Sequence, residues 1–504
     1  MTRGIRQGCP LSPLIFAVVV DVLLRRIEAT VEGRGLVRAC ADDTAAAIED
    51  VFGLLPRVAE LFDEYAAISG LHLNYGKTII IPLWMPSELG YEAIGTVLSQ
   101  IGGDWDKVQI KTVAKYLGFL IGPGRSDDVW CKAMSKWQQR ARDWSGSDIG
   151  LQFQAMVYNV FCVSALCFLA QLERVSCAIL DAEAATMLKL ARGPGGWANS
   201  SDLWRMGEQC GVGRSFHCVG ARCEAAMLRA LHFENWEAPI RDEVKRLSLW
   251  RTSTVHIDRD VLWNEWYQRS FPRTLWHNKT ALEQKGISLD QITKKLCLSM
   301  DTDQDRIKLH GCFQKEAAKM NLPGFLDVWE YRIDHKLLRW QFRGNRHVHR
   351  DNLIRNLQNL GRIVAPRVAA AAWGMVWNRW CTARRREQRE ARCLFGCGRG
   401  ADSVEHYIGC EVGRAVGRRM LRLDGDYDCR KRCLLGVTRF TSDREQACWA
   451  IMAYGLYMAT NSRRYSHNSS TSTEDAVQEV MQLCRHAADG HRKTRRCLRS
   501  LWVT

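Results

Sequence analysis

The sequence predicts an α+β region over residues 1–124, a mainly α-helical stretch after it, and a small cysteine–histidine module near residue 400. Three observations carry this. Short apolar runs alternate with turn residues as far as Gly122-Pro123-Gly124. From there to about residue 330, Trp, Leu and Met recur at spacings of three and four, the period of a helix face. Cys393, Cys397, His406 and Cys410 then stand close enough in sequence to share one ion.

The elements follow in order. Ser12-Pro13 predicts a helix start, with serine as N-cap and proline as the first helical residue. The run from Leu14 to about Ile27 is strongly apolar and is expected to pack inside. Gly33 and Gly35 mark a turn. Leu36 to Ile48 reads as two short strands with Asp42-Asp43 between them. Val51 to Ser69 carries helical spacing through Leu54, Leu55, Val58, Leu61, Phe62 and Tyr65, and Gly70 suits its C-terminal cap. Leu71 to Leu83 reads as a strand broken at Gly76, and Val113 to Ile121 as another.

Leu151 to Leu172 holds no charged residue for 22 positions, long enough to span a bilayer. Its Gln152, Gln154, Asn159, Ser164 and Gln171 favour a buried helix, so no membrane partner is expected. Residues 331–392 form a basic, aromatic-rich segment and 393–410 the Cys/His module. A helical basic tail over 411–504 follows, with a polar linker near 466–473.

The chain has 504 residues, roughly three domains' worth. Its formal charge of +16 favours a polyanionic partner, a nucleic acid or an acidic membrane surface. The surplus is concentrated: Arg332 to Arg399 holds sixteen Lys/Arg against four Asp/Glu. Trp340, Phe342, Trp373, Trp377 and Trp380 are interleaved, which predicts cations on phosphates and rings on bases. Arg384, Arg385 and Arg386 are the candidate backbone contacts, and their loss is expected to weaken nucleic-acid binding and flatten its salt dependence. Twenty cysteines lie scattered and the start lacks a secretory layout, which predicts reduced thiols in an intracellular protein, nuclear or cytoplasmic. The sequon at Asn468-Ser469-Ser470 then carries little meaning.

Arg38-Ala39-Cys40-Ala41-Asp42-Asp43-Thr44 is the most informative stretch. Adjacent carboxylates between short apolar runs suit a divalent metal at a hairpin tip better than they suit a core. Upstream lies Arg6-Gln7-Gly8-Cys9-Pro10-Leu11-Ser12-Pro13, and downstream lie Asn74-Tyr75-Gly76-Lys77-Thr78 and Tyr116-Leu117-Gly118. Each has a plain alternative: a Gly/Pro turn before a helix, an exposed strand lysine, a chance triplet.

In this order and spacing the four motifs resemble the C-terminal half of the palm in reverse transcriptases of non-LTR (LINE-type) retrotransposons. Group II intron proteins share the general plan. The resemblance covers residues 3–122 directly and the later layout more loosely. It implies an RNA-directed DNA polymerase that extends a DNA primer on an RNA template with dNTPs and two Mg²⁺ ions. It implies that Asp42 is a metal ligand and that Asp43 supports the site. Arg6, Gln7, Gly8 and Ser12 would then border the nucleotide and template, Lys77 would donate a proton to pyrophosphate, and Tyr116, Leu117 and Gly118 would grip the primer. It also implies a helical thumb and extension over 125–330, and a zinc knuckle over 393–410 with Cys393, Cys397, His406 and Cys410 as ligands.

Two departures stand out. Cys40 occupies a place that is usually aromatic in the family. The family's third metal-binding aspartate lies on an earlier strand, and no aspartate here can be assigned to it; Asp21 falls within the apolar helix. The chain is therefore expected to be a truncated form. An upstream palm and fingers segment or a partner chain would complete it, and the chain alone is expected to show no primer extension. The alternative expectation is a catalytically inactive nucleic-acid-binding remnant. No nuclease pattern follows the knuckle: Asp424, Asp426 and Asp428 surround a turn.

Overall fold

The computed structural model describes residues 10–83, 88–125, 127–147, 149–227, 280, 283–284, 326–386, 391–465 and 472–498. Arg6, Gln7 and Gly8 lie outside the described residues, as do most of the expected linker near 466–473 and much of the expected extension between 228 and 325. The described residues are mostly helical, with three two-stranded sheets. Those up to Cys131 form one compact unit and those from Lys132 onward another.

In the first unit, helix α1 (Ser12–Val31) leads into strands β1 (Gly35–Cys40) and β2 (Asp43–Ile48), then helix α2 (Val51–Ser69). Strand β3 (Ile79–Ile80), helix α3 (Glu88–Ile101), strand β4 (Gln109–Ile110) and the hairpin β5 (Ala114–Tyr116) and β6 (Phe119–Ile121) follow. Helix α2 organises the unit because two of its faces are apolar. Leu54, Val58 and Leu61 pack with Leu23, Ile27 and Val31 of α1 and with Val37 of β1. Val51, Leu55 and Ala59 pack with Ile94 and Leu98 of α3 and with Trp105 and Val108. Asp50 caps its start by accepting from the Gly53 N–H, and Gly70 closes it in the left-handed region.

Three expectations change here. Leu11 takes the cap position of α1, so Ser12 is already its first helical residue and Pro13 its second. Only the Leu23–Ile27–Val31 stripe of α1 is buried; Leu14, Ile15, Val18 and Val22 are exposed, because one side alone meets α2. The expected strands at 71–83 and 113–121 are shorter. Asn74 accepts from the Lys77 N–H and curls Tyr75–Lys77 into a 3-10 turn, leaving β3 to pair parallel with β4. A turn at Leu117-Gly118 folds the second run into the antiparallel β5–β6 hairpin.

The second unit is built from helices α4 (Cys131–Ser145), α5 (Leu151–Val157), α6 (Ser164–Cys167), α7 (Cys177–Ala191), α8 (Ser200–Cys210) and α9 (Val219–Met227). It continues through α10 (Leu326–Leu338), α11 (Arg346–Ile363), α12 (Pro366–Val376), α13 (Val404–Gly409) and α14 (Glu411–Val416). Helices α15 (Tyr427–Leu434), α16 (Asp443–Tyr465), α17 (Thr473–Asp489) and α18 (Arg492–Leu498) complete it. The uncharged run 151–172 is a broken path of short helices and a π turn at Tyr158–Cys162. No helix among the described residues is long and apolar enough to cross a membrane.

Helix α16 is the central element, buried from Gln446 to Leu456. Helix α12 is buried from Val368 to Val376. Trp373 and Trp377, one turn apart, pack against each other with centroids 5.0 Å apart, and Trp197 meets Trp373 edge-on at 5.4 Å. Trp340, Trp373, Trp377 and Trp380 are all buried, which corrects the expectation that they stack on bases. Burying such a ring removes on the order of 200 Å² from water, about 5 kcal/mol at ~25 cal/mol per Å². Stacking one base returns only about 1–3 kcal/mol, so these rings stay in the core.

The C-terminal end of α8 meets α11 through two glycines. A Cβ on Gly361 would lie 2.4 Å from the Gly211 carbonyl oxygen, and one on Gly211 would lie 2.1 Å from that of Leu357. Both neighbours are backbone and cannot swing aside. Gly361→Ala is expected to destabilise the protein by about 1–3 kcal/mol through overpacking, read as a lower denaturation midpoint in urea. An unchanged midpoint would show that this contact yields freely.

Candidate functional site

Strands β1 and β2 pair antiparallel from Gly35↔Ile48 to Cys40↔Asp43, leaving Ala41-Asp42 as the turn. Val37 is the only buried residue of β1, and its place against α1 and α2 fixes the register. A one-residue slip would turn Val37 outward and move the aspartates off the tip. Asp42 therefore sits in the turn and Asp43 opens β2, both exposed. Ala41 is held at φ 54°, a left-handed conformation that costs a non-glycine residue roughly 1 kcal/mol. Positive φ at the first turn position matches the twist of the two strands.

The second hairpin presents Leu117-Gly118 at its tip, with φ of 47° and 93°. Both positive values mark the tight turn that Asn-Gly usually makes, and here a leucine is forced into it. Beside that turn, the Tyr116 hydroxyl donates a long hydrogen bond of 3.5 Å to the Asp43 carbonyl oxygen. The fold thus brings together two motifs 73 residues apart. Burial, then the nearby Cys40 and Asp43, push the Tyr116 phenol up, so it remains a donor. Cys40 is exposed next to the tip.

Lys77 is exposed at the end of its 3-10 turn, and its N–H bonds to Asn74 Oδ1 at 3.2 Å. Gln109 Nε2 fastens the same turn by donating to the Gly76 carbonyl at 3.0 Å. No ion pair joins Lys77 to Asp42 or Asp43 among the described residues. Ser12 lies at the start of α1.

The Cys/His residues do converge. The ligand atoms of Cys393, Cys397, His406 and Cys410 all lie within 4.8 Å of one another and can hold a metal ion. The Cys393 and Cys410 sulfurs are 3.9 Å apart, and Cys397 Sγ is 3.2 Å from His406 Nε2. A tetrahedral ion with ~2.3 Å bonds to sulfur sets sulfur–sulfur edges of about 3.8 Å, so the set is close to coordinating geometry. The Cys393 N–H donates to the Gly400 carbonyl at 2.8 Å and folds the loop back. A Cβ on Gly400 would strike His406 Nδ1 at 2.0 Å, so only glycine fits under the ring. Ser403 caps α13 by accepting from the His406 N–H, which sets the histidine in the first turn. The hydrogen bond to Cys410, in which the protonated Cys393 thiol donates, and then burial push the Cys393 thiol up to about 12. An entering metal must displace that proton, so acid opposes its binding.

Sequence reasoning missed the residue that holds this module in place. Asp402 is 2% exposed and saturated with donors. Arg464 of α16 grips it with two bonds of 2.8 and 2.9 Å, Tyr407 donates at 2.7 Å, and the Ala383 N–H donates at 2.7 Å. Burial and then Asp402 raise the Tyr407 phenol far above its usual range, which keeps it a donor. The signal in the sequence was faint: one carboxylate next to the module and one arginine 62 residues later.

The arginine triplet divides. Arg384 is exposed and lies 3.6 Å from Glu405. Arg385 is structural: it donates to the Asn378 carbonyl at 2.8 Å and the Gly195 carbonyl at 2.6 Å, which corrects its expected role on phosphate. The side chain of Arg386 lies outside the described residues. More of the basic surplus is also committed internally. Arg332 pairs with Asp202 at 2.8 Å, Arg350 with Asp334 at 3.2 Å, and Arg379 donates to the Ala191 carbonyl at the end of α7.

No model of a known protein family matches the chain, and no solved structure matches it.

Asp402→Ala would leave Arg464, 14% exposed, without its carboxylate. Breaking a buried pair from one side costs about 3–5 kcal/mol. A drop of that size in unfolding free energy is expected in a urea titration; a change under ~1 kcal/mol, the range of exposed pairs, would contradict this reading of the pair.

Proposed function

We propose that the chain carries the catalytic-hairpin half of an RNA-directed DNA polymerase of the non-LTR retrotransposon type. The observation that carries the reading is the Asp42-Asp43 tip with the Tyr116 hydroxyl against the Asp43 carbonyl. Two of the four motifs meet there.

The donors suit magnesium as far as they go. Mg²⁺ takes hard oxygen ligands and commonly uses one or two carboxylates plus substrate phosphates. When bound there it would neutralise phosphate charge and activate a primer hydroxyl. The chain's own residues do the positioning. Asp42 and Asp43 present their carboxylates on a turn whose register Val37 sets and which the Tyr116 hydroxyl approaches. Lys77 is an exposed cation available to protonate a departing pyrophosphate. The Cys/His module is assigned a structural zinc ion, since three thiolates and an imidazole make a closed tetrahedral set.

One observation favours a second reading, a nucleic-acid-binding protein without polymerase activity. Among the described residues, only the Cys/His module gathers three or more potential metal ligands; the hairpin tip gathers no third.

Primer extension on an RNA template, with Mg²⁺ and dNTPs, separates the two. The chain alone is expected to show no extension; extension that Asp42→Asn slows at least ~100-fold, on the order of 3 kcal/mol of transition-state stabilisation, while primer–template affinity holds, would overturn that expectation and select the polymerase reading. Binding without extension selects the second reading. Neither binding nor extension contradicts both. For the module, elemental analysis is expected to find one zinc ion per chain, lost together with thermal stability in a Cys393→Ser, Cys410→Ser double variant. A protein purified without zinc that also fails to take it up contradicts the assignment.

A further inference from the structure

Arg355 and Arg362 stand two turns apart on α11, about 10.5 Å along its axis at ~1.5 Å per residue. Gln358 lies between them on the same stripe. The loop carrying Arg439, Phe440 and Ser442 forms the opposite wall. Together they bound an open cleft of about 610 Å³ on the helical unit. Three other arginines of the basic segment differ. Arg332, Arg339 and Arg350 are tied to carboxylates, whereas Arg355 bonds only the Asn352 amide, at 3.4 Å. Among the described residues, Arg355, Arg362 and Arg439 make no ion pair. One carboxylate does reach the cleft: Asp443, which accepts from Asn359 Nδ2 at 2.8 Å. The cleft keeps a net positive charge.

Its walls are fixed to each other. Asn356 Nδ2 donates to the carbonyls of Gly436 and Thr438 at 2.8 and 2.7 Å, and Asn352 Nδ2 to that of Val437 at 3.2 Å. Gln446 Nε2 donates back to the Asn356 carbonyl at 2.6 Å from the start of α16. The loop therefore cannot swing in to neutralise the arginines. Three exposed guanidiniums without a carboxylate partner among the described residues, held on a rigid polar frame, suit an anion with several charges in a row.

We propose that this cleft binds a single-stranded nucleic-acid segment of about three nucleotides. With its bases stacked as in one strand of a duplex, such a segment advances ~3.4 Å per phosphate, so the Arg355–Arg362 span covers about three steps. Arg439 meets the strand from the other wall, and half-buried Phe440 offers a ring for one base. A single phosphate would leave two of the three cations unused. The site lies on the helical unit and is independent of the hairpin chemistry: it stands whether or not Asp42 and Asp43 support polymerisation.

The test uses the full chain and a short fluorescent single-stranded RNA, with anisotropy read across a salt series. An Arg355→Ala, Arg362→Ala, Arg439→Ala variant is expected to bind about 10- to 100-fold more weakly at low salt. Its log–log salt slope should shrink by about 2, at ~0.7 for each phosphate no longer neutralised. A control variant replaces Arg399, Arg418 and Arg432, which already face Glu411, Asp424 and Asp428. It removes the same formal charge and is expected to change affinity less than ~3-fold, since those arginines neutralise no phosphate under this proposal. Equal losses in the two triple variants would overturn the proposal, because net charge alone would then explain binding. Arg362→Glu, a single exposed change, is expected to lower affinity at least ~10-fold. Unchanged affinity there overturns the proposal regardless of how the triple variant folds.

Discussion

The carboxylate of Asp402 is the constraint around which the helical unit is arranged. It is buried, charged and satisfied on every side: by Arg464 from α16, by Tyr407 from α13, and by the Ala383 N–H. The Arg384 N–H bonds its backbone carbonyl as well, at 3.2 Å. One residue thus joins the basic segment, the Cys/His module and the central helix. Burying a charge is unfavourable unless its partners are complete. Both carboxylate oxygens of Asp402 have theirs. Arg463, next in sequence to Arg464, adds a bond to the Leu394 carbonyl and stands over the Phe395 ring. The module is therefore built into a helical core and is not a free-standing finger.

The hairpin unit is built differently. Its core is a sandwich of α1, α2 and α3, and the two hairpins extend from it with little buried side-chain surface of their own. Their tips hold non-glycine residues at positive φ, Ala41 in one and Leu117 in the other. Such strain persists where the surrounding structure over-determines it. The buried Val37 anchors the first hairpin, and the Tyr116 hydroxyl reaches the Asp43 carbonyl between the two. Positive φ, exposed carboxylates and a nearby hydroxyl lie in one place there.

The sequence was clearest where a period and a cap agreed. Val51 to Ser69 could be bounded at both ends because its apolar spacing stops at Gly70. The Cys/His spacing was equally plain, since few arrangements of four soft ligands are neutral to chemistry. It was misleading where a residue did something its type rarely does. Leu117 reads as the middle of an apolar strand, and only the structure shows it turning a corner at φ 47°. Composition also hid direction. Tryptophans interleaved with arginines resemble a stacking surface, but Trp373 and Trp377 are one helical turn apart and point into the core together. Likewise a count of cations cannot separate Arg385, bound to two carbonyls, from Arg362, which makes no ion pair among the described residues. Long-range pairs such as Asp402 with Arg464 leave almost no local trace.

A divalent ion held at the Asp42-Asp43 tip, with Tyr116 beside it, would leave a mark on the polypeptide itself. Iron(II) can stand in for magnesium at oxygen ligands and, with peroxide and ascorbate, cuts the chain close to where it sits. Mapping the fragments is the decisive measurement. Cleavage is expected within a few residues of Asp42 and again near Tyr116, suppressed by excess Mg²⁺ and absent in Asp42→Asn. Fragments that map only to the Cys/His module, or cuts near Asp42 that survive both magnesium and the substitution, would contradict a metal site at the tip.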